Sequence, residues 1–321
     1  MTPDPVPLIV RLRNWVGDVV LSVAALQRLE DAGFALRLVG KGWARDLLAG
    51  HGWPVEPLAG RTRERIAQLR QLAQAARRDD PRFERSPVQA VAFPYSFSSA
   101  LEMRLAGLRA AGHATEGRRW LLARSTPRPP GAHELAVYWH LADLVTGTSA
   151  PSPERIPLRL APAHHEAAET LCRTHGLGDG FIVLCPFAGG TFAGADKTWP
   201  DFADFARDDL AALGLRQVLC PGPGEAEEAR ARYPQAVVLE GVGLGTYGAL
   251  LQRARLMISN DTGPGHLAAA VGAPLLSVLG PTDARQWGAW GPGVHTVQGQ
   301  PAPGTWPQRE AVRARARELL S

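Results

Sequence analysis

The chain has 321 residues with 45% hydrophobic side chains and a mean hydropathy of −0.11, which predicts a globular protein of two domains at about 100–200 residues each. It shows no run of ~18 apolar residues, no signal-peptide pattern and only three widely spaced cysteines, which argues against a transmembrane, secreted or disulfide-stapled protein and favours the cytoplasm. The net charge of +4 is uneven, because residues 1–160 carry 22 Lys and Arg against 15 Asp and Glu; this half either meets an acidic partner or reflects a bias toward arginine.

Strands and helices alternate in the first half, as in a parallel α/β sheet. The first helix has an apolar stripe at helical spacing and ends at Gly33. Residues 109–128 are basic and show no regular pattern, so they are predicted to be irregular. The predicted elements are strand 6–12, helix 19–32, strand 35–39, a polar loop and helix at 58–80, strand 88–93, a helix that ends near residue 107, and helix 133–146.

A linker with three prolines at residues 148–157 predicts a first domain of residues 1–157 and a second domain of residues 158–321. The alternation of strands and helices then starts again. The predicted elements are strand 181–186, a glycine-rich loop to residue 200 followed by a helix, strand 216–220, an acidic helix after residue 225, strand 237–239, helix 246–254, a strand–turn–helix–strand stretch at 256–280, and a charged amphipathic helix at about 306–320.

The stretch 256–280 carries the strongest signal for a ligand. Its first strand ends in Ser-Asn-Asp-Thr, and glycines follow at once, so backbone N–H groups and the positive end of a helix can meet a phosphate. His266 lies about one turn into that helix and can face the same anion. The alternative is an ordinary βα turn capped by Asp261, but capping alone does not require Asp, Thr, two Gly and His together.

Two other loops of the second domain follow predicted strands, where ligands of such sheets bind. Gly190 and Thr191 supply backbone donors and a hydroxyl, and Lys197, one of two lysines in the chain, ends the loop. A lysine there is a mobile point charge suited to a diphosphate, with a solvated loop lysine as the alternative. Glu225 could accept hydrogen bonds from ribose hydroxyls, or it could begin the next helix as an N-cap or first-turn acid.

Asp18 is the candidate of the first domain, at the tip of the loop after the first strand. A carboxylate there could take a proton from an acceptor hydroxyl while a nucleotide leaves, and it could also cap the following helix. The chain has no Walker loop, no Gly-x-Gly-x-x-Gly after the first strand, and no Asp-x-Asp motif or His cluster that suggests a metal. Lys197, the helix N-terminus and His266 would therefore have to offset the charge of a diphosphate.

Four blocks of sequence together resemble the bacterial heptosyltransferases, which are the ADP-heptose:lipopolysaccharide enzymes and their relatives in glycosyltransferase family nine. The blocks are Asn14-Trp-Val-Gly-Asp18, Lys197-Thr-Trp-Pro200, Asp261-Thr-Gly-Pro-Gly-His266 and Gly280-Pro-Thr-Asp283. The run that begins Tyr95-Ser-Phe-Ser-Ser-Ala and continues to Arg119-Trp-Leu-Leu looks most like the second-heptose branch. The resemblance spans roughly residues 6–320.

This resemblance implies a GT-B fold, in which two Rossmann-like parallel-sheet domains face an interdomain cleft, with the last helix able to cross back onto the first domain. It implies inverting sugar transfer from a nucleotide sugar, ADP-linked, with no metal and no further cofactor. Asp18 matches the catalytic base. The contacts to the donor diphosphate are matched by Lys197, Thr262, Gly263 and His266. Asp261 matches an acid that contacts the donor sugar or caps the helix, and Glu225 matches a ribose contact. The loop residues Gly190 and Thr191 belong to the same donor site.

The acceptor implied is an anionic, phosphorylated lipid or oligosaccharide such as the lipopolysaccharide inner core. It would lie on the basic first domain, and the protein would work in the cytoplasm, with peripheral contact at the inner face of the membrane and no nucleic-acid partner. The sequence departs from the family pattern around Gly112 and in a longer loop at 189–196. A nucleotide-sugar epimerase and a non-catalytic nucleotide-sugar binding protein remain as alternatives. The candidate acceptor contacts are Arg61, Arg63, Arg65 and Arg119.

Overall fold

The structure is a computed structural model that describes residues 4–178, 180–300 and 305–321, and its chain divides into two compact units after Pro153. The predicted boundary after residue 157 lies in the same stretch, which contains neither helix nor strand from residue 147 to residue 161. None of the helices that these residues form combines the length and the apolar character needed to cross a bilayer.

The first unit contains one six-stranded parallel sheet with helices between its strands. Two short 3-10 turns, Ala49–His51 and Arg118–Leu121, complete it. The elements are β1 (Val6–Arg11), α1 (Val16–Asp31), β2 (Phe34–Gly40), α2 (Ala44–Leu47), β3 (Val55–Pro57), α3 (Thr62–Asp79), α4 (Arg82–Arg85), β4 (Ala90–Ala92), α5 (Phe97–Leu105), β5 (Ala110–His113), β6 (Arg124–Thr126) and α6 (Glu134–Thr146).

The strand order of this sheet is β3-β2-β1-β4-β5-β6, and every pairing is parallel. β1 is buried almost throughout because it lies at the centre of the sheet with helices packed on it, and its run Val-Pro-Leu-Ile-Val is apolar accordingly. α1 and α6 pack against each other, which brings residues from the start and the end of the unit together.

The prediction that residues 109–128 are irregular was wrong. The segment contributes β5 and β6, the last two strands of the sheet. β5 was missed because Ala-Ala-Gly-His lacks the bulky apolar residues typical of strands, although all four are buried. The glycine in it, Gly112, is closely packed, since a Cβ there would lie 3.2 Å from Nη2 of Arg118.

The second unit repeats the same architecture and adds a two-stranded antiparallel hairpin. Its elements are α7 (Pro162–His175), β7 (Phe181–Cys185), β8 (Thr191–Phe192), β9 (Ala195–Asp196), α8 (Phe202–Asp204, continued by a π-helical turn Phe205–Leu210 and a 3-10 turn Ala211–Leu213), β10 (Arg216–Leu219), α9 (Ala226–Arg232), β11 (Val237–Val238), α10 (Leu244–Leu251), β12 (Leu256–Ser259), α11 (Gly263–Ala270), β13 (Leu275–Leu279), α12 (Ala284–Trp287), β14 (Val294–Gln298) and α13 (Arg309–Leu320).

The second sheet has the order β11-β10-β7-β12-β13-β14, again fully parallel. Counted along its own chain, this is the 3-2-1-4-5-6 order of the first sheet, the order of a Rossmann fold. The apolar face of the predicted C-terminal helix packs within this unit, because Val312 and Ala316 of α13 are buried in its core. The contacts of α13 with β13 and β14 therefore place it on the second sheet.

The predicted α/β class with two Rossmann-like parallel sheets is confirmed. In such a sheet the chain leaves the first and fourth strands in opposite directions, and a crevice opens between their carboxyl ends. The two switch points lie between β1 and β4 in the first unit and between β7 and β12 in the second. Asp18 follows β1, Lys197 follows β7 and the run 261–266 follows β12, so the topology brings these candidates to the places where ligands of this fold bind.

Candidate functional site

Lys197 and Asp261 meet at the switch point of the second sheet. Lys197 ends the segment after β7, and Asp261 directly follows the end of β12, the strand beside it. The lysine Nζ donates to the backbone oxygen of Asp261 at 3.1 Å and lies 3.4 Å from its carboxylate oxygen Oδ2. The two side chains are only 18% and 14% exposed, so the ion pair is largely shielded from solvent.

The Asp261 carboxylate has two further partners. Thr282 donates its hydroxyl to Oδ2 at 2.9 Å, and Nε2 of His266 lies 3.8 Å from Oδ1. Burial alone would raise the pKa of Asp261, but the contact with His266 and the charge of Lys197 hold it below its ordinary value. The site therefore contains an ionised carboxylate that organises a lysine and a histidine around the first turn of α11.

The start of α11 is built as the sequence predicted, with Thr262 rather than Asp261 as the N-cap. The Thr262 hydroxyl accepts from the backbone N–H of Gly265 at 3.4 Å and shares a 2.9 Å hydrogen bond with the Ser259 hydroxyl. Gly263 is the first helical residue, where the helix itself supplies no carbonyl partner for the N–H. The alternative reading of Asp261 as the cap is thus wrong, because its carboxylate is engaged by Lys197 and Thr282.

Asn260 fixes the loop that carries Lys197. Its side-chain oxygen accepts from the backbone N–H of Trp199 at 3.2 Å, and its side-chain nitrogen donates to the Pro186 carbonyl at 2.5 Å. Both ends of the loop after β7 are therefore tied to the loop after β12 by one buried side chain. Trp199 itself is fully buried in the core of the unit, which anchors the backbone two residues after Lys197.

Thr191 is the first residue of the hairpin β8–β9 and Gly190 directly precedes it, and both are exposed. Its turn residues Ala193 and Gly194 have φ angles of +49° and +81°, as a two-residue hairpin turn of type I′ requires. The hairpin accounts for the length of this loop, which the sequence marked as unusual. Phe192 of the hairpin lies edge-on to Trp287 of α12, with ring centroids 6.3 Å apart.

Glu225 holds the N-cap position of α9, and its carboxylate accepts from the backbone N–H of Gly222 at 2.7 Å. This hydrogen bond closes the loop after β10. The ribose role stays a prediction, since one carboxylate oxygen is taken by the protein backbone and the group is only partly buried.

Asp18 lies in the first turn of α1 rather than at the tip of a loop. The helix begins two residues earlier, and Trp15 is its N-cap residue, so the reading of Asp18 as the cap is wrong. The carboxylate is instead bound by side chains: the Tyr138 hydroxyl donates to Oδ1 at 2.9 Å, and Nε of Arg13 donates to Oδ2 at 3.3 Å. Asp18 and Arg13 follow β1, so they lie at the switch point of the first sheet.

The four arginines chosen from the sequence have different surroundings. Arg61, Arg63 and Arg119 are exposed. The guanidinium of Arg65 is bound by other residues of the protein. Its Nε pairs with the buried carboxylate of Glu102 at 2.7 Å, and its other two nitrogens donate to the Gly60 carbonyl and the Thr62 hydroxyl. Arg65 is therefore a structural residue as well as a candidate contact, whereas the other three arginines are exposed to solvent.

Arg118, which the sequence did not single out, is fully buried and joins the loop after β4 to the loop after β5. It donates to the carbonyls of His113 and Ser96 at 2.8 and 3.1 Å, to the Pro94 carbonyl at 2.5 Å and to the Ser99 hydroxyl at 3.1 Å. Burial lowers the pKa of Arg118 to about 10, so the guanidinium remains charged at neutral pH.

We expect Arg118→Ala to lower the free energy of unfolding by about 3 kcal/mol, because each buried acceptor left without its donor costs about 1–3 kcal/mol. Calorimetric melting measures the loss. The neighbouring Arg119→Ala, at an exposed position, is the matched control and is expected to stay within about 0.5 kcal/mol of the parent. Equal melting of the two variants would contradict the structural role of Arg118.

Tyr138 and Arg13 complete the Asp18 site, and Asn260 and Thr282 complete the Lys197 site, but none of the four was predicted as a site residue. A signal for Tyr138 does exist in the sequence, because it stands four residues after Glu134. This spacing puts two polar side chains on one face of a helix whose other buried residues are apolar. Arg13 carries no such signal, since basic residues are common throughout this half of the chain.

Groups of three or more His, Cys, Asp or Glu side chains arranged to hold a metal are absent from the part of the chain that the structure describes. The positive charge beside Asp261 comes from Lys197 and from the start of α11.

Comparison with known proteins identifies the family of the chain. A family model for glycosyltransferase family 9 (heptosyltransferase) matches residues 89–311, more than half of the chain. Lipopolysaccharide heptosyltransferase 3 from Escherichia coli is 36% identical over 125 residues, a segment that covers 36% of this chain and 35% of that relative.

Two solved structures share the fold over nearly the whole chain. E. coli ADP-heptose LPS heptosyltransferase II is 21% identical, with 98% of each chain covered and a TM-score of 0.77. A family 9 glycosyl transferase from Veillonella parvula is 18% identical, with 100% of this chain and 98% of that chain covered and a TM-score of 0.81. The GT-B fold class implied by the sequence is thereby confirmed. The chain belongs to glycosyltransferase family 9, the heptosyltransferase family.

Proposed function

We propose that the protein transfers a heptose, or a similar sugar, from an ADP-linked donor to a hydroxyl of a phosphorylated lipid or oligosaccharide, such as the lipopolysaccharide inner core. Membership of family 9 supports sugar transfer. The names of two similar proteins, lipopolysaccharide heptosyltransferase 3 and ADP-heptose LPS heptosyltransferase II, support the choice of donor and acceptor. The matched segment spans about a third of the first of these, so the full activity is part of this proposal.

The observation that carries the proposal is the cluster of Lys197, Asp261 and His266 at the start of α11. A diphosphate would take the lysine ammonium and the Gly263 N–H as donors, and the Thr262 hydroxyl lies at the same helix end. These groups would stabilise the negative charge that develops on the leaving diphosphate. Hydrogen-bond donors placed in this way accelerate a reaction by lowering the energy of its transition state. Glu225, Gly190 and Thr191 would contact the remainder of the donor.

Asp18 would act as the general base. It would take the proton from the acceptor hydroxyl as that oxygen forms a bond to the anomeric carbon, while the bond from that carbon to the diphosphate breaks and ADP leaves with the electron pair. Attack from the face opposite the leaving group inverts the anomeric centre. In this scheme Lys197 and the helix N-terminus supply the positive charge, so no metal or further cofactor is required.

The acceptor would lie on the first unit, where Arg61, Arg63 and Arg119 are exposed. Guanidinium groups bind phosphate oxygens in a fork geometry that lysine cannot provide, and almost all basic residues of this unit are arginines. An acceptor embedded in a membrane would bring the protein to the inner face of the cytoplasmic membrane as a peripheral enzyme.

Calorimetric titration with ADP, GDP and UDP, followed by a transfer assay, tests the proposal. We expect ADP to bind most tightly and ADP-heptose with heptose-deficient lipopolysaccharide core to yield ADP and an acceptor heavier by one heptose. The rate is expected to be unchanged in EDTA, and the anomeric configuration of the product, read by NMR, is expected to be inverted.

Three outcomes would contradict parts of the proposal. Conversion of the donor to an isomeric nucleotide sugar without an acceptor would indicate an epimerase. Nucleotide binding with no turnover across donors and acceptors would indicate a binding protein. Loss of the rate in EDTA, restored by a divalent ion, would refute the metal-independent mechanism.

A further inference from the structure

Each oxygen of the Asp18 carboxylate is held by one side chain. The Tyr138 hydroxyl donates to Oδ1 at 2.9 Å, and the Arg13 guanidinium donates to Oδ2 at 3.3 Å. A carboxylate offers about four acceptor positions, so these two contacts leave lone pairs on both oxygens. The side chain keeps 13% of its surface exposed. It is therefore fixed in orientation while it can still accept a proton.

Tyr138 is buried completely, and its ring packs against Phe93 with centroids 5.2 Å apart. A buried tyrosine hydroxyl usually finds a hydrogen-bond partner, and here Asp18 provides it from 120 residues away in the chain. Burial and the nearby Asp18 charge raise the pKa of Tyr138 well above its ordinary value. The hydroxyl thus stays protonated and acts only as a donor to the carboxylate.

Arg13 is held in turn by a second set of contacts. Its guanidinium carbon lies 4.4 Å from the centroid of the Tyr95 ring, and the Tyr95 hydroxyl donates to Glu134. Arg128 donates to the other oxygen of Glu134 at 2.7 Å. Burial alone would lower the pKa of Arg13, but the negative charges that face it, Asp18 among them, raise it, so the group stays charged.

Both arms of this arrangement end on one helix. Glu134 and Tyr138 are four residues apart on α6 and share a face, and α6 packs along α1, which carries Asp18. One arm runs directly from Tyr138 to Asp18, and the other runs from Glu134 through Tyr95 and Arg13. A base must lie within about 2.6–3.2 Å of the oxygen whose proton it removes. Holding both carboxylate oxygens from one helix keeps the base at that distance.

We propose that Tyr138 is a positioning residue for the Asp18 carboxylate, with Arg13 holding the second oxygen. This inference rests on the proposed role of Asp18 as the base. Tyr138 touches neither donor nor acceptor in this scheme; it acts through Asp18 alone.

The test is Tyr138→Phe in the full chain, assayed with ADP-heptose and heptose-deficient lipopolysaccharide core. The change removes the hydroxyl and keeps the packed ring. We expect kcat to fall about 10–100-fold, since a misplacement of a catalytic group by about 1 Å costs rates of this order. The KM for ADP-heptose and the Kd for ADP are expected to stay at the parent values, because the donor contacts lie in the second unit.

Two further variants separate positioning from a general loss of packing. Tyr233→Phe removes another buried tyrosine hydroxyl, one without a hydrogen-bond partner among the described residues, and is expected to leave kcat unchanged. The double variant Asp18→Asn with Tyr138→Phe is expected to turn over no more slowly than Asp18→Asn alone, because residues that act through one another are not additive.

The outcomes distinguish this inference from the function on which it rests. If Asp18→Asn is slow but Tyr138→Phe matches Tyr233→Phe, the positioning role is overturned and the base assignment stands. An additional loss in the double variant equal to that of Tyr138→Phe alone would also overturn it, because Tyr138 would then act independently of Asp18. If Asp18→Asn turns over at the parent rate, or the parent transfers no sugar, the proposed function itself fails and the inference falls with it.

Discussion

Replacement of Asp18 by asparagine is expected to lower kcat about 10²–10⁴-fold, the usual contribution of a general base. The amide has nearly the size and shape of the carboxylate and can still accept from the Tyr138 hydroxyl, but it cannot take a proton from an acceptor hydroxyl. ADP affinity is expected to stay within about twofold of the parent, because Asp18 contributes no donor contact in the proposed scheme. Steady-state kinetics and calorimetric titration with ADP measure the two quantities.

Asp31→Asn is the matched control for this variant. Asp31 is the last residue of the same helix and is exposed, so the same chemical change there is expected to leave kcat unaltered. A parent-like kcat for Asp18→Asn would refute the base assignment. A loss of ADP affinity together with kcat would instead indicate that the variant disturbs the donor site, contrary to the proposal.

Lys197→Ala is expected to weaken ADP binding about 10–100-fold, since a hydrogen bond to a charged group contributes about 1.5–3 kcal/mol. A second effect acts in the same direction. The variant removes the cationic partner of the Asp261 carboxylate, which is largely buried, and leaves a negative charge facing the place proposed for a diphosphate. Calorimetric titration with ADP measures the change.

Two variants accompany this prediction. Lys41→Ala removes the other lysine of the chain, which is exposed in the first unit, and is expected to leave ADP affinity at the parent value. Adding Asp261→Asn to Lys197→Ala is expected to restore part of the affinity, because it removes the negative charge that Lys197 no longer offsets. Unchanged affinity in Lys197→Ala would refute the diphosphate role of the lysine.

The sequence predicted the architecture well because local patterns determine it. Apolar runs such as Val6–Arg11 and Phe181–Cys185 formed the central strands of their sheets, and the helices between strands provide the crossovers that parallel pairing needs. The exceptions are elements without a strong pattern. β5 consists of small residues and β6 of polar ones, so pairing with the neighbouring strands, and not their own preference, makes them strands.

The second site was also largely predictable, since its chemistry is concentrated in short segments. The run from Asp261 to His266 carries a cap, glycines and a histidine within six residues, and each lies where the local pattern placed it. Lys197 was conspicuous because lysine is rare in this chain. Its pairing with Asp261, 64 residues later, follows from the adjacency of β7 and β12, which the sequence suggested only through the fold type.

The contacts of the first site could not be predicted from the sequence. Asp18 was visible as an acid after the first strand, but its partner Tyr138 stands 120 residues away on a helix that packs along α1. The same limit applies to Arg65, which resembles the other basic residues in sequence but is taken by Glu102. Periodicity and motifs reflect interactions between near neighbours in the chain, and they determined the two sheets and the loops that bear the acid, the lysine and the histidine. Which side chain holds which is decided by tertiary packing, because buried charged and polar groups must find partners wherever the fold brings a donor or an acceptor within reach.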